Sequence, residues 1–208
     1  MAAKAAVFET TYRNYLAQIA AVDLHERAHR LGAEVVGDAL QIPLYGKFYR
    51  VARQGVKGSD DAPVNFAVRV VLCCYILQCP EAVPPSGDWM TYREFRNAGP
   101  LVGYFQANTH KIIETAFAGN LAGLVDACHL LGGQPFDDGS AYDLSLTFPF
   151  LPRIPVLLRF NDRDDEFPAQ CAIMFRGSAE AFLDMECMAI GGTLLAGTLT
   201  QALQGRAS

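Results

Sequence analysis

The chain has 208 residues, 51% apolar and 19% charged, a composition that excludes an intrinsically disordered chain and can bury roughly 70% of its extended surface at this length. Seventeen Lys and Arg against 22 Asp and Glu leave a formal charge of −5, and no run of cations is long enough to track a phosphate backbone, which excludes nucleic acid as an expected partner. The longest uncharged apolar segment, residues 70–76, falls far short of the ~20 residues that span a bilayer. With no apolar leader after Met1, the chain is expected in the cytoplasm as one domain over 1–208, its six cysteines reduced.

In chain order, Phe8, Tyr12, Tyr15, Ile19 and Val22 recur at three- and four-residue spacing and predict one helix from about residue 5 to 31. Arg27 and Arg30 in its last turn, with Gly32 after it, suit a helix C-terminus. Residues 39–44 and 48–52 alternate around a turn signal at 45–47 and predict a hairpin, with Pro43 marking the first strand as a sheet edge. Asp61, in the polar loop that follows, is placed to cap the next helix. That helix, 65–79, is apolar on nearly every side apart from Arg69 and Gln78 and should be the central one.

Residues 80–99, rich in Pro and Gly and carrying the only Trp, cannot form one regular element, although 91–96 suit a helical turn. Helices follow over 103–118 and 121–131, ended by Gly132 and Gly133. Three runs rich in β-branched and aromatic residues, 142–148, 154–160 and 170–175, predict an antiparallel meander. Ser178 offers an N-cap to a helix over 179–188, and a last helix spans 190–203, where Gly191, Gly192 and Gly197 allow close packing or a break. Strands gathered in hairpins define an α+β fold: an antiparallel sheet of about five strands, hairpin plus meander, packed with several helices.

Two segments carry most of the side chains that could do chemistry. In the turn Asn161-Asp162-Arg163-Asp164-Asp165-Glu166 the carboxylates could hold a hard cation, but the spacing matches no EF-hand. The favoured reading is a solvated turn that blunts a sheet edge. In Gly87-Asp88-Trp89-Met90-Thr91-Tyr92-Arg93-Glu94, Trp beside Arg is a common pairing for binding planar ligands or proteins. It equally suits a buried Trp pinning an irregular loop, with Arg93 paired to Asp165 or Glu166.

His25-Glu26-Arg27-Ala28-His29 matches the zinc-protease pattern HExxH, in which two histidines one helical turn apart bind metal and the Glu activates water. A third ligand is unassigned, and the flanking Asp23 and Arg30 mark a solvated helix end. His110 and His129 read as packing or surface residues. The cysteines include no C-x-x-C; Cys73, Cys74 and Cys79 do not share one helix face. Phosphate loops and nucleophile elbows are absent from the sequence.

PRIPVLLRF at 152–160, DDEFPA at 164–169 and the apolar strand after it resemble the family of domains of unknown function called DUF3786. Further support comes from Pro85, Gly87, Trp89, Tyr92, Arg93 and Glu94, and from the S-A-x-x-F-L-D-x-E pattern that begins at Ser178. The likeness runs from about Tyr45 to Leu203. Phe160 stands where the family usually has Trp, and Tyr142 replaces a Gly.

The resemblance implies no established activity or cofactor. Some members look as though they carry a four-cysteine iron–sulfur module ahead of this domain, which implies a protein partner in iron–sulfur or corrinoid metabolism; this chain begins directly with the helix. The leading expectation is a soluble ligand-binding or accessory module, with Trp89, Arg93, Glu94, Asp165 and Glu166 lining a cleft between two loops held side by side. One rival is a metal-dependent hydrolase using His25, Glu26 and His29. The other is a structural homo-oligomer subunit joined through its glycine-containing C-terminal helix.

Overall fold

The structure, a computed structural model, describes residues 2–58 and 62–205, with side chains from residue 9 onward. The amino-terminal apolar stripe makes two helices instead of one: α1 (Ala2–Ala20) stops and α2 (Leu24–Leu31) starts afresh. Asp23 breaks them, because its carboxylate accepts the Glu26 N–H at 3.1 Å and a capping residue leaves helical geometry. Tyr12 and Ile19 are buried as the spacing requires, while the Phe8 side chain lies outside the described residues.

Arg27 does not serve its own helix end. Its Nη1 donates to the Ile76 and Leu77 carbonyls, at 2.6 and 3.0 Å, at the end of α3 (Phe66–Leu77). Arg153, from the PRIP segment, does the same for α2, donating to Arg30 O at 3.0 Å and His29 O at 2.8 Å. The Tyr75 hydroxyl donates to Leu31 O and accepts the Arg153 N–H. Carbonyls that a helix end leaves without partners thus become the fastening points between α2, α3 and the turn at Arg153.

The first sheet runs in chain order: β1 (Glu34–Val36), β2 (Ala39–Leu44), β3 (Lys47–Ala52) and β4 (Gly55–Gly58). The predicted hairpin is β2–β3, but it belongs to this sheet and not to that of the meander, and β2 is interior at its start. Pro43 fits because β1 pairs only with Ala39, Leu40 and Gln41, so the strand is an edge again where the N–H is missing. Short β4 falls in the segment that reads as polar loop, and β1 in a stretch given no element. Asn65, accepting the Val68 N–H at 2.9 Å, caps α3; Asp61 lies outside the described residues.

The second sheet comprises β5 (Trp89–Thr91), β6 (Gln134–Pro135), β7 (Leu144–Leu151), β8 (Ile154–Asn161) and β9 (Gln170–Arg176), in spatial order β5-β9-β8-β7-β6 and antiparallel throughout. The meander is as predicted. Short strands β5 and β6 were not foreseen.

The remaining helices are α4 (Val102–Phe105), which continues through one π turn (Gln106–His110) into α5 (Lys111–Phe117), then α6 (Leu121–Leu130) and α7 (Met185–Gln204). The two predicted C-terminal helices are one helix: Ser178 sits in a 3₁₀ turn, and Asp184 caps α7 by accepting the Cys187 N–H at 2.7 Å. Glycine here serves close approach. A Cβ on Gly191 would lie 2.4 Å from the Phe150 ring, and one on Gly192 2.5 Å from Phe105. Helix α7 therefore beds directly on aromatic rings and touches α3, α4, α5 and α6, taking the central place the sequence assigns to α3. Side chains from both sheets and all the longer helices share one apolar core. Among the described residues no helix is long and apolar enough to cross a membrane.

Candidate functional site

The two loops expected to share a cleft lie at opposite ends of β9. Trp89 is paired with Arg176 at the end of that strand, whereas the acidic turn precedes Gln170 at its start. Six residues of strand put about 20 Å between them. The partner of Trp89 is Arg176, not Arg93: the Arg176 guanidinium stands 4.1 Å from the indole ring, and Phe136 meets the ring edge-on at 5.9 Å. Trp89 pins β5 onto the sheet.

Arg93 is exposed, and Glu94 is spent locally, accepting the Thr91 N–H and hydroxyl at 2.6 Å each in a capping box. The Thr91 hydroxyl, then the Thr91 N–H, hold the Glu94 carboxyl below its ordinary pKa. Asp165 and Glu166 are exposed, while Asp164 closes the turn on itself by accepting the Glu166 and Phe167 N–H groups at 2.8 and 2.7 Å. Asp162 accepts the Gly119 N–H at 2.6 Å and ties this turn to the α5–α6 connection. These contacts make the acidic segment a folded turn in which Asp162 and Asp164 accept backbone N–H groups.

His25, Glu26 and His29 lie exposed on α2. Glu26 reaches its helix neighbour Arg30 at 3.3 Å, and the two histidines belong to no three-residue group of metal-ligating atoms among the described residues. The helix spacing is right for a metal pair, but no third donor converges on it.

A different place gathers complementary groups. Where the edge of β4 meets α1 and α3, a cleft of about 500 Å³ is lined by Tyr12, Asp38, Arg50, Gln54, Lys57 and Arg69. Arg50 and Lys57 stand directly opposite one another on β3 and β4, so the pleat turns both cations to one face.

Arg69 is the one charged side chain on α3. Its guanidinium lies 5.1 Å from the centre of the Tyr12 ring, and its Nε is buried with no hydrogen-bond partner among the described residues. The Tyr12 hydroxyl accepts the Val56 N–H at 2.8 Å, which covers the outer edge of β4. Gly55 makes room for that bond: its φ is +147°, and a Cβ there would come within 3.1 Å of the Tyr12 oxygen. Burial raises the pKa of Tyr12, so its hydroxyl stays protonated at neutral pH. A second, open depression with Asp23, His25 and Arg53 shares Asp38 and Gln54 with the cleft and prolongs it towards α2.

The arrangement suits an anion: cations from two strands and one helix, an aromatic face, and a buried N–H in want of an acceptor. Of its residues only Arg69 stood out in the sequence, as the lone charge on an otherwise apolar helix. Tyr12 reads as an ordinary member of a helical stripe, Arg50 as one residue of an alternating strand, and Lys57 as part of a polar loop.

These features define an α+β protein of two antiparallel sheets wrapped on a buried helix, with a cation-lined cleft at the edge of the smaller sheet. The model of the family described as domain of unknown function (DUF3786) matches residues 23–198, and the chain belongs to that family. No curated protein and no solved structure matches it. The matched span contains Arg50, Lys57 and Arg69, and begins after Tyr12.

Proposed function

We propose that this protein is a binding module for a small anionic ligand, one bearing a carboxylate or phosphate group, held in the cleft between β4, α1 and α3. The observation that carries this reading is Arg69, a guanidinium laid on an aromatic ring with a buried N–H that no atom of the described residues accepts. Keeping a buried donor without a partner costs about 1–3 kcal/mol, which an incoming oxygen recovers. Arg50 and Lys57 add attraction, and Asp38 sets a negative boundary. Binding is favoured over catalysis because the one hydroxyl facing Arg69, that of Tyr12, is engaged with the Val56 N–H and kept neutral by burial.

The test is thermal unfolding with inorganic pyrophosphate, citrate, and uncharged glycerol as control. A ligand present at 100 times its dissociation constant stabilises by about 2.7 kcal/mol. At least one anion raises the unfolding temperature of the wild type, and Arg69→Met lowers its affinity about 10- to 100-fold, the equivalent of one charge-assisted hydrogen bond. Equal shifts in wild type and Arg69→Met, or none with either anion, would defeat the reading.

A further inference from the structure

Five residues along α3 from Arg69, Cys74 joins Asp184 and Cys187 to bring two sulfurs and a carboxylate oxygen within 4.8 Å of one another. Among the described residues this is the one such convergence of three potential metal ligands. We propose that these three residues form a site for a thiophilic divalent cation, with zinc as the natural candidate, bound through two thiolates and one carboxylate with a fourth position open.

The spacing is close to what zinc needs. Zinc–sulfur bonds of about 2.3 Å in a tetrahedron put two sulfurs about 3.8 Å apart, so closing the group requires movements of an ångström or less. The scaffold is already fixed on both sides. Cys74 sits in the buried middle of α3, and Asp184 and Cys187 occupy the N-cap and third position of α7, with Asp184 accepting the Cys187 N–H. Gln78 donates to the other Asp184 oxygen at 3.4 Å, a polar contact that holds the carboxylate from outside the group.

There is also a way in. Both cysteines are buried, but Asp184 is exposed and borders an open depression with Glu180, Glu186 and Arg96, where three carboxylates against one guanidinium leave a negative balance that favours an approaching cation. Capping a helix accounts for Asp184 by itself. It does not account for two thiols meeting beside that cap, and thiolate-rich sets select zinc over magnesium or calcium.

The experiment is competition titration of Zn²⁺ against a chromophoric chelator, on reduced protein, with Cd²⁺ added separately to read sulfur-to-metal charge-transfer absorption. Wild type takes up one equivalent and shows the thiolate band. Cys187→Ser, or Cys74→Ser, removes the band and weakens Zn²⁺ binding by about 100-fold or more, while Cys73→Ser, a neighbour outside the group, matches wild type.

Because serine at a buried site could unfold the chain, Asp184→Asn is the second arm. Asparagine caps helices as well as aspartate does, so this variant keeps wild-type thermal stability without metal yet binds Zn²⁺ at least 10-fold more weakly. Uptake unchanged in the Cys74→Ser/Cys187→Ser double variant, a wild type that fails to compete for Zn²⁺, or Asp184→Asn binding as wild type does would overturn the assignment.

Discussion

The two sheets of this protein manage their edges in opposite ways. The five-stranded sheet is closed off on its β9 side. Where β5 ends and no longer pairs with β9, the N–H groups of Cys171 and Ile173 are accepted by Glu114 Oε1 and His110 Nε2, both at 3.1 Å, so two side chains one helical turn apart replace the missing strand. Phe150 of β7 lies on α7 so closely that a Cβ on Gly191 would come within 2.4 Å of its ring.

The four-stranded sheet is open by comparison. β1 is exposed along its whole length, and one tyrosine hydroxyl covers the edge of β4 beside a cleft lined by three cations. What separates the two sheets is what lies beside their edges: side chains of one helix replace the missing strand along β9, whereas β4 borders a cleft lined by cations, and it is at this second edge that we propose binding.

The contrast breaks most severely at Gly191. Gly191→Val would drive methyl groups into Phe150, which has no exposed surface to turn towards, and should destabilise the protein by about 3 kcal/mol or more, read from chemical denaturation. Arg153→Met, which takes the donors away from the end of α2, should cost about 2 kcal/mol in the same assay.

A smaller effect comes from pH. Burial holds His110 below its ordinary pKa, with Glu114 opposing, and Nε2 must be unprotonated to accept the Ile173 N–H; Nδ1 then donates to Gln106. The unfolded chain takes up this proton near pH 6.5 while the folded ring resists. The stabilisation from His110 is therefore fully present above that value and is lost as pH falls through the depressed folded value. His110→Leu should lower stability at pH 7 by about 1 kcal/mol and flatten the profile between pH 7 and 5. Smallest of all should be Arg69→Met in the absence of ligand, within about 1 kcal/mol of wild type, since it removes a charge that the fold leaves incompletely bonded.

The meander and the buried α3 were legible because each repeats a strong local signal over a long enough stretch. What escaped the sequence is physical in each case. Asp23 breaks a stripe whose periodicity runs straight past it, because a cap overrides apolar spacing within one turn. β1, β5 and β6 span two or three residues, too short for alternation to show.

Gly191 and Gly192 read equally as helix breakers or as contact points, and only the rings of Phe150 and Phe105 decide between them. For the site, Trp89 and the acidic turn drew attention because their residue types are unusual, yet the pairing of Trp89 with Arg176 sends them to opposite ends of β9. The cleft joins Tyr12, Arg50, Lys57 and Arg69 across as many separate elements, and Cys74 meets Cys187 across more than half the chain. Neither convergence has a sequence spacing to betray it.

The central claim is that Arg69 holds its Nε–H for an anion. Side-chain ¹⁵N–¹H spectra of the arginine Nε groups, recorded while pyrophosphate or citrate is added, test it directly. The Arg69 signal should move progressively and saturate as its N–H gains an acceptor, with Arg153 and Arg176 unmoved. Saturable binding that shifts other arginines while leaving Arg69 in place would contradict it.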